Sequence, residues 1–208
     1  LRQDRRFHDG EAISARRFAE ILSGPLDWVV TVDPHLHRIP DLRDIYPIPV
    51  CAVTAAPRVA AWIRKHVPDP LLIGPDEESR QWVEPVAAGA GAPFVMLVKR
   101  RLGDREVAVE LPAMDRYRER TPVLLDDIIS TGATLIQATR LLRGRGFVTP
   151  CAVAVHGVFA EGAYARLLAA GCRPVVTCDT IPHPSNRIEV HDLLAAAVLD
   201  QHRTVPVG

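Results

Sequence analysis

Short apolar runs alternate along this chain with longer stretches whose apolar residues recur at helical spacing. The runs at residues 28–32, 71–73, 94–98, 123–125, 152–155 and 175–176 read as buried strands. Residues 57–66, 77–88, 162–170 and the stretch following 134 read as helices. Residues 107–109 supply a hairpin partner for the strand that ends at Val98. Strands alternating with helices imply a parallel, doubly wound α/β sheet. Ahead of it, Ile13, Phe18, Ile21 and Leu22 share the predicted apolar face of a helix that stops before Gly24-Pro25. Residues 188–199 read as a short strand and a terminal helix. Pro47, Pro49 and Pro57 bracket an extended run, and a domain boundary is expected there, between residues 54 and 55. The terminal helix is expected to return to the first domain, which groups 1–54 with 195–208 and leaves 55–194 as the second.

Composition narrows the class. Of 208 residues, 48% are apolar and 24% charged, and 25 basic side chains balance 25 acidic ones. That is ordinary for a globular protein, and it provides no basic field for nucleic acid or a membrane surface. No apolar run approaches the ~20 residues of a membrane span. Cys51, Cys151, Cys172 and Cys178 lack metal-ligand spacing and read as free thiols in a reducing compartment. Without a signal or transit peptide pattern, the expected location is the cytoplasm. The chain begins at Leu1, inside charged, motif-like sequence and without an initiator Met, and so reads as the later part of a longer protein.

The most chemically loaded stretch is 121–142, TPVLLDDIISTGATLIQATRLL. It reads as a short buried strand, two carboxylates at its C-terminal end, a small-residue loop and a helix. In parallel α/β sheets, ligands bind in the crevice outside the strand ends. Ser130, Thr131, Gly132, Ala133 and Thr134 offer backbone N–H groups, three hydroxyls and a helix N-terminus, which suit an anionic group. Asp126 and Asp127, acceptors when ionised, suit sugar hydroxyls or an Mg²⁺-bound ligand. The same residues also fit a plain N-cap, with Ser130 capping the helix and the aspartates solvated.

Two other strand ends carry candidate chemistry. Asp33, His35 and His37 follow the strand 28–32 at a spacing of two, so they share a side of an extended segment. A zinc site would need a further ligand at convincing spacing, and the sequence offers none; an ordinary polar loop is the other reading. Lys99, Arg100 and Arg101 end the strand at 94–98, and alternation puts Lys99 and Arg101 on one face. A solvated basic turn is the alternative.

Five pieces in order resemble the ribose-phosphate pyrophosphokinase family: R-Q-D-R from Arg2, D-P-H from Asp33, P-D at Asp76, K-R-R from Lys99, and D-D-I-I-S-T-G-A-T from Asp126. Similar pieces also lie at Ala154-Val155-His156-Gly157 and Thr180-Ile181-Pro182-His183. The resemblance implies two phosphoribosyltransferase-type α/β domains, each a parallel sheet flanked by helices, with the first incomplete in this chain. It implies pyrophosphoryl transfer from ATP to ribose 5-phosphate, giving 5-phosphoribosyl 1-pyrophosphate and AMP. Carried over by motif, Arg2, Gln3, Asp4 and His35 would bind ATP, and His35 and Asp76 would lie by Mg²⁺. Asp126, Asp127 and residues Ser130 to Thr134 would bind ribose 5-phosphate, while Lys99 and Arg101 would be catalytic. The resemblance further implies a homodimer or larger homo-oligomer whose ATP site is completed by a neighbouring subunit, and the chain alone is then expected to bind ATP poorly.

The chain also departs from the family pattern. Ser130 stands where many members carry an Asp, Pro47 and Cys51 where aspartates often help with metal, and Glu77-Glu78-Ser79 where small residues are common. A catalytically silent regulatory paralogue and a salvage phosphoribosyltransferase therefore stay open. The first predicts ligand affinity without AMP formation. The second predicts consumption of phosphoribosyl pyrophosphate only when a base is supplied.

Overall fold

A computed structural model describes residues 6, 8–36, 39, 41–101 and 107–204, with residues 99–101, 107 and 108 described by their backbone alone. The first elements in chain order are α1 (Ser14–Ser23), β1 (Val29–Val32), β2 (Val50–Val53), α2 (Ala56–His66), β3 (Pro70–Gly74) and α3 (Arg80–Ala90). They are followed by β4 (Phe94–Met96), β5 (Val98–Arg101), β6 (Val107–Glu110), β7 (Thr121–Ile129), α4 (Ala133–Gly144) and β8 (Cys151–Gly157). The last are α5 (Ala163–Ala170), β9 (Val175–Cys178), β10 (Asn186–Ile188) and α6 (His191–Thr204). The chain divides into two compact units, one made of Leu1–Thr54 with Val190–Gly208 and the other of Ala55–Glu189.

In the larger unit, six strands form a sheet in the order β10-β9-β8-β7-β3-β4, and every neighbouring pair is parallel. The α/β reading of the sequence is thereby met. From β3 the chain crosses through α3 to β4 in one direction, whereas from β7 it crosses through α4 and α5 to β8 and β9 in the other. Right-handed crossovers running in opposite directions place their helices on opposite faces. The packing agrees, since α2 packs with α3 and α4 with α5. The strands are consequently buried on both sides and need near-continuous apolar sequence. Leu71, Ile73, Leu124, Ala152 and Ala154 pack with Leu135, Ala138, Leu142 and Leu167 from α4 and α5. The alternate positions Leu72, Val123, Leu125 and Val153 are equally buried on the other face, where α2 and α3 contribute Val59, Ile63, Val83 and Val86. Each of the Leu, Ile and Val side chains contributes about 1.5–3 kcal/mol through burial.

Three sequence expectations change. The strand expected at 123–125 runs from Thr121 to Ile129, because β8 goes on pairing with it through Ile129↔Gly157. Asp126 and Asp127 therefore lie within a strand rather than after it. The single strand expected at 94–98 is two: Leu97 N–H donates to the Gly74 carbonyl at 2.9 Å, and the chain then leaves the main sheet. From Val98 it pairs antiparallel with β6, as Val98↔Glu110 to Arg101↔Val107. The helix expected from residue 77 begins at Arg80, after a 3-10 turn Glu77–Ser79 whose Ser79 N–H donates to the Asp76 side chain.

In the smaller unit β1 and β2 pair in parallel, from Val29↔Val50 to Val32↔Val53, and α6 packs on both strands. Helix α1 buries Ala15 and Ala19 and leaves Phe18 and Ile21 exposed by 44% and 72%. Of the apolar face expected from Ile13, Phe18, Ile21 and Leu22, Ile13 and Leu22 are half-buried, while Phe18 and Ile21 face solvent and the alanines take the buried positions.

Candidate active site

Neighbouring strands β3 and β7 send their following helices to opposite faces, so the sheet has its topological switch point between them. A crevice at the C-terminal strand ends follows from that topology. Three of the expected carboxylates lie in or just after these two strands.

On the β3 side, Gly74 fits because a Cβ there would fall 2.3 Å from Met96 Cε and 2.9 Å from Val83 Cγ2. Two residues on, Asp76 is extended (φ −169°, ψ 173°) and its carboxylate accepts the Ser79 N–H at 3.1 Å, while Ser79 Oγ donates to the Asp76 carbonyl at 2.7 Å. Asp76 thus caps the 3-10 turn on one side of the crevice. The acidic Glu77 is held by Arg80 on that turn.

On the β7 side, β3 pairs only as far as Leu124, whereas β8 pairs through Ile129. The end of β7 consequently outruns β3 and borders the crevice. Along that overhang Asp127 N–H donates to Asp126 Oδ1 at 3.0 Å and Ile128 N–H donates to Asp127 Oδ1 at 2.8 Å. Asp126 is hemmed in, and its carboxyl is pushed well above the usual carboxylate range. Burial is the main cause; the Asp127 charge and side-chain hydrogen bond add to it, and so does the charge of Asp76. That Asp76 is felt by Asp126 through charge repulsion puts the two strand ends in one acidic site. Such a site suits sugar hydroxyls or a hard cation accompanying an anion.

The loop after β7 gathers backbone and hydroxyl donors at a helix start. Gly132 stands in the left-handed region (φ 66°, ψ 10°) at the N-cap of α4, and its carbonyl accepts the Ile136 N–H at 2.8 Å. No side chain caps the helix, so Ser130 is not the N-cap that the plain reading of the sequence allowed. Among the described residues, no protein group hydrogen-bonds the hydroxyls of Ser130, Thr131 and Thr134 or the Gly132 N–H. These donors stand at the positive end of a helix of 12 residues. Behind the loop, Phe159 N–H donates to the Ile129 carbonyl at 2.9 Å, and Arg166 Nη2 donates to the Thr131 carbonyl at 2.8 Å. Arg166 was missed from the sequence. It is one arginine on an exposed helix face, and nothing local marks its contact 35 residues away.

The remaining candidates fall elsewhere. Lys99 and Arg101 lie on β5, opposite Val109 and Val107 in the hairpin that starts one residue after Leu97. Asp33 and His35 follow β1 in the smaller unit, where Asp33 adopts a left-handed φ of 33° and its N–H donates to the Val53 carbonyl at 2.9 Å. Arg2, Gln3, Asp4 and His37 lie outside the described residues. Among the described residues, no three His, Cys, Asp or Glu side chains converge as metal ligands. His156 Nδ1 and Thr180 Oγ1 are 2.9 Å apart and Thr180 Oγ1 donates to the Val155 carbonyl at 3.1 Å, so these two sequence pieces tie β8 to the chain after β9. None of the four cysteines forms a disulfide, and burial pushes the Cys151 and Cys172 thiols up to about 12, which leaves them unreactive. Among the described residues, no helix is long and apolar enough to cross a membrane.

Comparison with known proteins agrees with this geometry. Residues 52–190 match the phosphoribosyl transferase domain model. The chain is 36% identical over 199 residues to the ribose-phosphate pyrophosphokinase of Methanopyrus kandleri, covering 95% of this chain and 67% of that protein. It is 33% identical to ribose-phosphate pyrophosphokinase 2 of Archaeoglobus fulgidus, covering 93% of this chain and 69% of the relative. Among solved structures it resembles the phosphoribosylpyrophosphate synthetase of Mycobacterium smegmatis, with a TM-score of 0.80 and 28% identity over 97% of this chain and 68% of that one. The chain spans about two thirds of the length of these relatives. With that identity, that coverage and the shared fold, the chain belongs to the ribose-phosphate pyrophosphokinase family.

Proposed function

We propose that the protein transfers the pyrophosphoryl group of ATP to the 1-hydroxyl of ribose 5-phosphate, giving 5-phosphoribosyl 1-pyrophosphate and AMP. One arrangement supports this reading most. At the switch point, the carboxylates of Asp76, Asp126 and Asp127 stand with a loop whose donors the protein leaves for a ligand. The 5-phosphate would take the N–H groups and hydroxyls of Ser130, Thr131, Gly132, Ala133 and Thr134. Asp126 and Asp127 would accept from the ribose hydroxyls and hold the ring in one orientation. The 1-hydroxyl oxygen then attacks the β-phosphorus in line, the bond from that phosphorus to the α,β-bridging oxygen breaks, and AMP leaves. Lys99 and Arg101 would hold the charge that spreads over the transferring phosphates. Positioning and electrostatics account for the reaction, so no nucleophilic side chain is required.

Arg2, Gln3, Asp4 and His35 are proposed to bind ATP, the arginine fork suiting phosphate and the glutamine a base edge. The acidic crevice fits a hard cation, and Asp76 offers the carboxylate oxygen that Mg²⁺ favours, with His35 the second proposed contact. Asp76 and His35 would hold the Mg²⁺, whose chemistry there would be to neutralise phosphate charge. The proposed setting is the cytoplasm, and the proposed assembly is a homo-oligomer whose ATP site is shared between subunits.

Phosphorus NMR on the protein with ATP, Mg²⁺ and ribose 5-phosphate tests the proposal. A sugar 1-pyrophosphate should appear with an equal amount of AMP, and adding a purine or pyrimidine base should change neither. Bound sugar phosphate without turnover would instead identify a silent paralogue. Base-dependent loss of added phosphoribosyl pyrophosphate would identify a salvage transferase.

A further inference from the structure

We infer that Arg166 is a positioning residue for ribose 5-phosphate, acting through the Thr131–Gly132 peptide; the inference rests on the proposed role of the 130–134 loop. Arg166 lies on α5 and its Nη2 donates to the Thr131 carbonyl at 2.8 Å. Among the described residues, no other side chain bonds to residues 130–134.

The peptide is planar and trans, so its N–H and C=O point in opposite directions. Holding the Thr131 carbonyl toward α5 therefore turns the Gly132 N–H away from α5, and that N–H has no protein acceptor among the described residues. Such an anchor has a physical purpose. Gly132 sits at φ 66°, and glycine tolerates both orientations of the preceding peptide, as turns of type I and II show. Left unanchored, this peptide could rotate and present a carbonyl oxygen where an anion needs a donor. A guanidinium bonded to the carbonyl also polarises the peptide and strengthens its N–H as a donor.

The support behind Arg166 is fixed in turn. Phe159 (φ 46°) bonds the Ile129 carbonyl through its N–H, and its ring packs 4.5 Å from His183 and 5.3 Å from Tyr164, setting the start of α5. Arg166 also lines a groove of about 700 Å³ between α4 and α5 with Arg140 and Arg143. Arg143 Nη1 donates to the Ala170 carbonyl at 3.1 Å, whereas the Arg140 side chain forms no hydrogen bond to another described residue. Arg140 therefore controls for charge: it is a neighbouring arginine that does not touch the loop.

The test is ribose 5-phosphate binding by calorimetry, with steady-state kinetics, on the protein and on Arg166→Ala, Arg166→Lys and Arg140→Ala. For Arg166→Ala, Kd and KM for ribose 5-phosphate should rise by about tenfold, the loss of one oriented charge-assisted bond. The KM for ATP and the melting temperature should hold. Arg166→Lys should recover part of the affinity, and Arg140→Ala should match the parent. Unchanged sugar-phosphate affinity in Arg166→Ala would overturn the inference, as would an equal loss in Arg140→Ala, which would assign the effect to net charge. Parent protein that binds ribose 5-phosphate without releasing AMP would defeat the proposed reaction, while the binding comparison would still decide the role of Arg166.

Discussion

Asp126 is held protonated more readily than an ordinary carboxyl because burial, Asp127 and Asp76 all oppose its charge. Between the ordinary carboxylate range and its raised value, the folded state thus binds more protons than the unfolded chain. Stability must fall as pH rises through that window. Asp126→Asn should remove this cost. Thermal unfolding should show the variant melting several degrees higher at neutral pH, at ~2–4 °C per kcal/mol for a chain of this size, with the gap closing at acid pH. It should also lose ribose 5-phosphate affinity. A variant less stable than the parent at neutral pH would show that the acidic cluster is not strained. Asp126, Asp127 and the 130–134 loop were legible in the sequence because their residue types name their chemistry. The strain at Asp126 was not, since it comes mainly from burial in a strand longer than its apolar run, then from Asp127, with Asp76, fifty residues earlier, adding least. Arg166 was illegible for the same reason: its partner is a backbone carbonyl that only the packing of α5 identifies.

Elements were read well where both faces of a strand are buried and poorly where one residue decides between partners. The apolar runs at β3, β7 and β8 announced a parallel sheet, whereas the break at Leu97 depends on its bond to Gly74 and on β6, and neither is a local signal. Helix α1 shows the limit of counting large apolar residues, because it packs through Ala15 and Ala19. At the start of α4 the decisive residue is Gly132. A Cβ there meets Ala163 Cβ and Leu167 Cδ1 at 3.5 Å, ordinary contact, so the cost of Gly132→Ala is conformational. Urea unfolding should show a loss of about 1–2 kcal/mol, the cost of a left-handed residue with a Cβ. Sugar-phosphate affinity should fall with it. No loss of stability would mean that the loop can adopt another conformation at no cost.

For the whole molecule, opposite crossovers from β3 and β7 determine where the crevice lies, and strand order is the property least legible in sequence. The alternation of strands and helices was plain, but the switch point emerged only from the ladder. The unit Ala55–Glu189 contains the complete six-stranded sheet, the hairpin and the acidic crevice. Produced alone, it should unfold in one cooperative transition and bind ribose 5-phosphate. It should release no AMP from ATP, because His35 and the proposed nucleotide residues belong to the other unit. An unfolded fragment, or one that makes AMP, would contradict this division of labour. The central claim meets its most direct test in AMP release from ATP and Mg²⁺, with and without ribose 5-phosphate, by the protein and by Lys99→Ala. AMP should depend on the sugar phosphate and fall about a hundredfold or more in the variant. AMP formed equally without the sugar, or none from the folded protein, would contradict it.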